Sequence, residues 1–213
     1  MKGKTFICTA VMVLTIALCL GGAQPVMAVS SSQINVYNTI YGTSYTGAQI
    51  DALLLPFDEI WVEYNGGVQA EAKFAGYSQY FGYYTDIGTG DELTYLFEGI
   101  TTGGYLSGIS ATLDPNVPFG FFTDPNGPSG APAPFFSETE LNGDDFDHFL
   151  VYTTPVDGEL VIFTEDLFGG GDQDFVDFVV SVHGAAPIPE PATLLLVGAG
   201  LVGLAGARRK MKK

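Results

Sequence analysis

HFLVYTTPVDGELVIFTEDLFGGGDQDFVDFVVSVH, residues 148–183, is the stretch whose reading decides the fold. HFLVYTT (148–154), GELVIFT (158–164) and FVDFVVSVH (175–183) are short runs of β-branched and aromatic residues. Pro155 to Gly158 separates the first two, and a glycine-rich acidic turn separates the last two. Runs of this length, composition and punctuation predict strands. In the last run Val176, Phe178, Val180 and Val182 fall on one face and Asp177, Val179, Ser181 and His183 on the other, so the first face is core. Working outward, DEIWVEY (58–64), VQAEAKFAGY (68–77), YFGYY (80–84) and LTYLFEGI (93–100) read the same way, and Asn65-Gly66, Asn126-Gly127 and Asn142-Gly143 are turn dipeptides. Only GAQIDALLLP (47–56) predicts a helix, which Pro56 would end. The six prolines of 113–136 predict an ordered loop or edge excursion rather than a central strand. The expected fold is mainly β: a single β-sandwich of jelly-roll type over residues 29–186.

Charge divides the chain sharply. Residues 29–189 hold 23 of the 24 acids and, of the eight basic residues, Lys73 alone, a balance of −22. Such a body repels nucleic-acid phosphates and anionic lipid and attracts cations, which excludes nucleic acid as a partner. The remaining basic residues lie at the two ends. Lys2 and Lys4 precede an apolar run from Phe6 to Leu20 and a small-residue site ending at Ala28, the pattern of a signal peptide over 1–28 cut by signal peptidase. Leu18 stands before Cys19, where lipoprotein signals carry a small residue. Both cysteines, Cys8 and Cys19, fall within the removed segment, so the mature body is expected to contain no disulfide and no thiolate ligand.

At the other end, residues 192–207 carry no charge and Arg208, Arg209, Lys210, Lys212 and Lys213 follow. As a helix these sixteen residues span about 24 Å, against a hydrocarbon core of about 30 Å, a deficit that snorkelling flanks can cover. The basic cluster would stay cytoplasmic and leave the acidic body outside.

Pro189, Glu190 and Pro191, followed by the apolar run and the basic end, resemble the PEP-CTERM sorting signal of proteins exported by exopolysaccharide-producing bacteria. The resemblance implies a tail over 187–213 that an exosortase recognises and cuts near the Pro-Glu-Pro motif. It also implies a membrane anchor that is transient and a final place at the cell surface or in the extracellular matrix.

The densest chemistry lies in TEDLFGGGDQDFVDF (164–178): Glu165, Asp166, Asp172, Asp174 and Asp177 around three glycines. Carboxylates so crowded repel one another and raise one another's pKa unless a cation sits between them. Calcium takes about six to eight oxygens at ~2.3–2.6 Å in a flexible shell, which a glycine-rich turn with alternate aspartates can supply. Val176 and the lack of a closing glutamate exclude an EF-hand. NGDDFDHF (142–149) adds Asp144, Asp145 and Asp147 before another strand, and the two acidic groups converge if those strands are neighbours. The alternative is a pair of solvated acidic turns. Residues 146–183, and more loosely 72–84, also resemble an uncharacterised exported domain that commonly precedes PEP-CTERM tails, typified by a Phe-Glu-Asp-Leu, Gly-Gly-Gly-Asp, Asp-aromatic, Asn-Asp series; here Thr164 stands in place of the Phe and Val176 in place of the Asn. That resemblance implies no activity.

Enzymatic readings find no support: His148 and His183 are the two histidines, and no G-x-S-x-G, H-E-x-x-H or Walker pattern occurs. The sequence therefore predicts a non-enzymatic calcium-binding matrix protein. A carbohydrate-binding module, with Tyr80 and Tyr83 stacking exopolysaccharide sugars, is the alternative, although aromatics alternating in strands are more often core.

Overall fold

The computed structural model describes residues 28–128, 130, 133–188 and 200. The Pro-Glu-Pro motif, and residue 200 apart the expected membrane helix, lie outside the described residues, as does all but the last residue of the expected signal peptide.

Among the described residues ten strands follow two short helices: α1 (Ser31–Tyr41), α2 (Gly47–Asp51), β1 (Trp61–Lys73), β2 (Gln79–Tyr84), β3 (Leu93–Ile100), β4 (Gly104–Tyr105), β5 (Ser110–Leu113), β6 (Gly120–Pro125), β7 (Phe135–Phe136), β8 (Phe149–Thr153), β9 (Glu159–Thr164) and β10 (Phe178–Pro187). They form two antiparallel sheets. One runs β4-β1-β10-β9-β8, with β5 also paired to β1, and the other runs β3-β2-β6-β7. The strands β8, β9 and β10 stay in one sheet as a meander, which differs from the jelly-roll expectation, where successive strands exchange sheets.

Both sheets contribute to one apolar core. Phe178, Val180 and Val182 of β10 meet Phe81 of β2, Phe97 of β3 and Phe121 of β6. Phe81 stacks on Phe121 at 5.3 Å and its ring centre lies 6.1 Å from that of Phe178. Phe178, Val180 and Val182 of the expected core face are thus core, whereas Val176 precedes the strand and buries in a second cluster with Val179. The other face of β10 is covered too: Val179, with Val161 and Phe163 of β9, packs under Val36 and Tyr37 of α1. Tyr37 Oη donates to Thr153 O at 2.8 Å, fixing the helix to the end of β8.

Four differences from the sequence reading have local causes. Helix α1 lies in a stretch with weak helix formers, but Ser30 and Gln33 close a reciprocal capping box, and Val36 and Tyr37 bury against the sheet. Asn65-Gly66 is not a hairpin turn: β1 continues through it as a bulge, with Asn65 at φ 63° and a register shift between Glu63 and Gly67. The proline-rich segment contains β6, wholly buried between β2 and β7. Residues 119–124 are free of proline, and Pro125 falls at the strand end, beyond the two residues that pair with the short β7. The helix expected over 47–56 is cut to five residues, and Leu54 instead bridges to Tyr152.

Candidate metal centre

The connection between β9 and β10, residues 165–177, is a long loop on a closed frame. Thr164 pairs with Phe178, the Thr164 hydroxyl donates to Phe178 O at 2.9 Å, and Asp177 N donates to Thr164 O at 3.2 Å. Within that frame the loop folds inward. Asp166 N donates to Asp177 Oδ2 at 2.9 Å, and the side-chain amide of Gln79, reaching from the other sheet, donates to Asp166 Oδ2. Phe74 N and Ala75 N both donate to Asp177 O, so the end of β1 wraps the same corner.

Two glycines make the inward fold possible. Gly170 has φ 78° and packs on the Phe146 ring, where a Cβ would lie 2.3 Å from the ring. A Cβ on Gly171 would lie 2.6 Å from Glu165 Oε1, so any side chain there would crowd that carboxylate. Gln173 and Phe175 also adopt positive φ, at 58° and 53°.

The result brings together five of the eight acids singled out in the sequence. One oxygen from each of Glu165, Asp166 and Asp177 lies within 4.8 Å of the others, and the same holds for Glu165, Asp172 and Asp174. Glu165 belongs to both groups. It is completely buried, at 0% exposure, and neither of its oxygens meets a hydrogen-bond donor among the described residues. Burial, then the Asp177 charge, pushes Glu165 up to about 9 from the ordinary carboxylate range. Burial also raises Asp166 to about 7, with Asp177 adding to the shift and Gln79 and Lys73 opposing it. Asp177 is raised for the same first reason. Native proteins seldom leave a buried carboxylate without donor or cation, because its desolvation then goes uncompensated.

The donor set fits a hard divalent cation. Every candidate ligand is a carboxylate oxygen, as calcium or magnesium prefers. His148 faces elsewhere: its Nδ1 lies 2.8 Å from Glu165 O and its Nε2 3.1 Å from Asp144 Oδ2, with Phe135 stacked on its ring at 3.8 Å. Burial lowers its pKa, opposed by those two acceptors, each of which the protonated ring satisfies.

Asp144, Asp145 and Asp147 are near the cluster but outside both groups. β8 and β9 are indeed neighbours, and Asp144 Oδ2 accepts from Gly169 N at 2.6 Å, so this turn braces the loop. Asp147 accepts from Phe149 N at 3.0 Å and lies beside buried Asp58; burial raises both, Asp147 to about 6. Asp145 is exposed, at φ 54°. His183 is half-exposed and bonds Glu159 at 2.8 Å.

Tyr80 and Tyr83 are three residues apart on one uninterrupted stretch of β2–β6 pairing, and they project from opposite faces. Tyr80 packs edge-on to Tyr95 and Tyr83 edge-on to Phe119, so they form no common stacking platform. Residues missed in the sequence are Gln79, Lys73 and Asp58. Lys73, the one basic residue of the acidic body, is buried near Asp166, with Nζ donating to Ala75 O at 2.8 Å. Its isolation among 23 acids was the readable signal.

Comparison with known families places the chain in a class. Residues 187–210 match the PEP-CTERM protein-sorting motif, which marks an exported protein, transiently anchored in the membrane and processed by an exosortase. Immediately upstream, residues 113–185 match a domain of unknown function, DUF4114, a region that contains β6 to β9, the acidic loop and most of β10. No curated protein matches the chain.

Proposed function

We propose that this exported exosortase substrate is a non-enzymatic, calcium-stabilised β-sandwich with a structural or adhesive role in the extracellular polymer. The observation that carries the calcium reading is Glu165, fully buried, without a donor and central to five carboxylates. An uncompensated buried carboxylate costs several kcal/mol, and a divalent cation removes that cost while organising the loop. Calcium suits the site better than magnesium, since the ligands come from a long irregular loop rather than an octahedral frame. The matrix role is supported by the sorting tail, the acidic body and the lack of a catalytic motif.

The test is thermal unfolding of the full-length chain in detergent, with calcium and in excess chelator. The expected result is a lower melting temperature in chelator; identical curves refute the calcium reading. Fractionation of the native host tests the destination, which is expected to be the exopolysaccharide fraction.

A further inference from the structure

We infer that the acidic loop is a two-ion site in which Glu165 bridges a buried divalent cation, shared with Asp166 and Asp177, and an outer one, shared with Asp172 and Asp174. The inference rests on the calcium reading and adds the stoichiometry and the division of ligands.

Three observations support it. The ligand atoms fall into two groups of three with Glu165 common to both, and within each group they lie within 4.8 Å. Glu165 is buried and both of its oxygens are free of hydrogen-bond donors, which leaves one oxygen for each ion. Carboxylate-clustered metal pairs sit about 3.5–4 Å apart, a separation that one bridging carboxylate spans. Charge points the same way. The five carboxylates and buried Lys73 together carry −4, which two divalent cations cancel and one leaves at −2 around the buried Glu165 and Asp166.

The two positions differ in depth. Asp166 is buried and held by Gln79 and by the Asp177 contact, so the inner ion sits against the sheet framework. Asp172 is exposed and Asp174 half-buried, so the outer ion lies at the rim, where water completes its shell. The inner ion is therefore expected to exchange slowly and the outer one fast.

Equilibrium dialysis of the metal-stripped full-length chain in detergent against calcium, with metal counted per chain, tests this. Two ions are expected for the unaltered chain. Asp172→Asn with Asp174→Asn, both substitutions lying at the rim, is expected to bind one, and Glu165→Gln none. One ion on the unaltered chain overturns the two-ion inference and leaves the calcium reading standing; no ion overturns both. An Asp172/Asp174 variant that binds two ions, or none, also overturns the division of ligands.

Discussion

Replacing Glu165 by Gln separates the energetic roles of its charge and its ligand atoms. Without metal, the folded chain holds Glu165 protonated at neutral pH, because burial and Asp177 push it up to about 9. Taking that proton from solution at pH 7 costs the gap from its ordinary 4.5, roughly 3 kcal/mol at about 1.4 kcal/mol per pH unit, an upper bound that solvent screening lowers. Gln is neutral without that cost but leaves a buried amide unpaired, at about 1–3 kcal/mol. The metal-free variant should thus match the unaltered chain or exceed it by up to about 2 kcal/mol. With calcium the order reverses. A ligand at about 100 times its Kd stabilises by about 2.7 kcal/mol, which is about 5–11 °C of melting temperature for a domain of this size. Glu165→Gln should lose this entire rise. The assay is differential scanning fluorimetry of both chains with and without calcium. A variant that melts well below the unaltered chain in chelator, yet keeps the full calcium rise, would refute the reasoning.

Further outcomes follow from the same geometry. In metal-free buffer the raised Glu165 and Asp166 favour the folded state while protonated, so stability is complete below the ordinary carboxylate range and is lost as pH climbs through about 7 and then about 9. Melting temperature should rise from about pH 8 to about pH 6 without calcium, and a flat profile contradicts the burial of these groups. Phe81 contacts Phe97, Phe121 and Phe178 across the shared core, so Phe81→Ala should cost about 3–5 kcal/mol by urea denaturation with its calcium rise preserved; a loss below about 1 kcal/mol would mean the sheets are not packed through it. Gly171→Ala places a methyl against Glu165 Oε1 and should weaken calcium affinity in titration calorimetry; unchanged affinity would remove Gly171 from the site.

The strand-rich character was legible because β8, β9 and β10 each bury alternate or continuous apolar faces between short turns. β6 was not, because local proline content outweighs a six-residue strand, GFFTDP, with only two large apolar residues and with partners, β2 and β7, that are remote or very short. α1 escaped for the opposite reason: its propensity is poor, and what holds it is tertiary burial plus the Ser30–Gln33 capping box, a signal present in the sequence. At the site, crowding of acids between 165 and 177 was plain in one dimension. That Glu165 would be the shared, fully buried member was not, since the contacts that fold the loop inward, Gln79 on Asp166 and the β1 corner on Asp177, come from elements distant in sequence. The neighbouring acids of 144–147 looked equivalent in sequence, but Asp144 bonds Gly169, Asp147 bonds Phe149 N and Asp145 is exposed.

β10 holds its pairing with β1 to Pro187, and Ile188 N still donates to Ile60 O at 2.8 Å. Its sorting tripeptide begins at the next residue, and the uncharged run at Ala192. Four residues reach at most about 14 Å even when fully stretched. If the uncharged run enters the bilayer at Ala192, the folded body is held within that reach of the membrane before release. A cut downstream of Pro189 leaves the final rung of the sheet intact. A cut upstream of Ile188 would remove that rung.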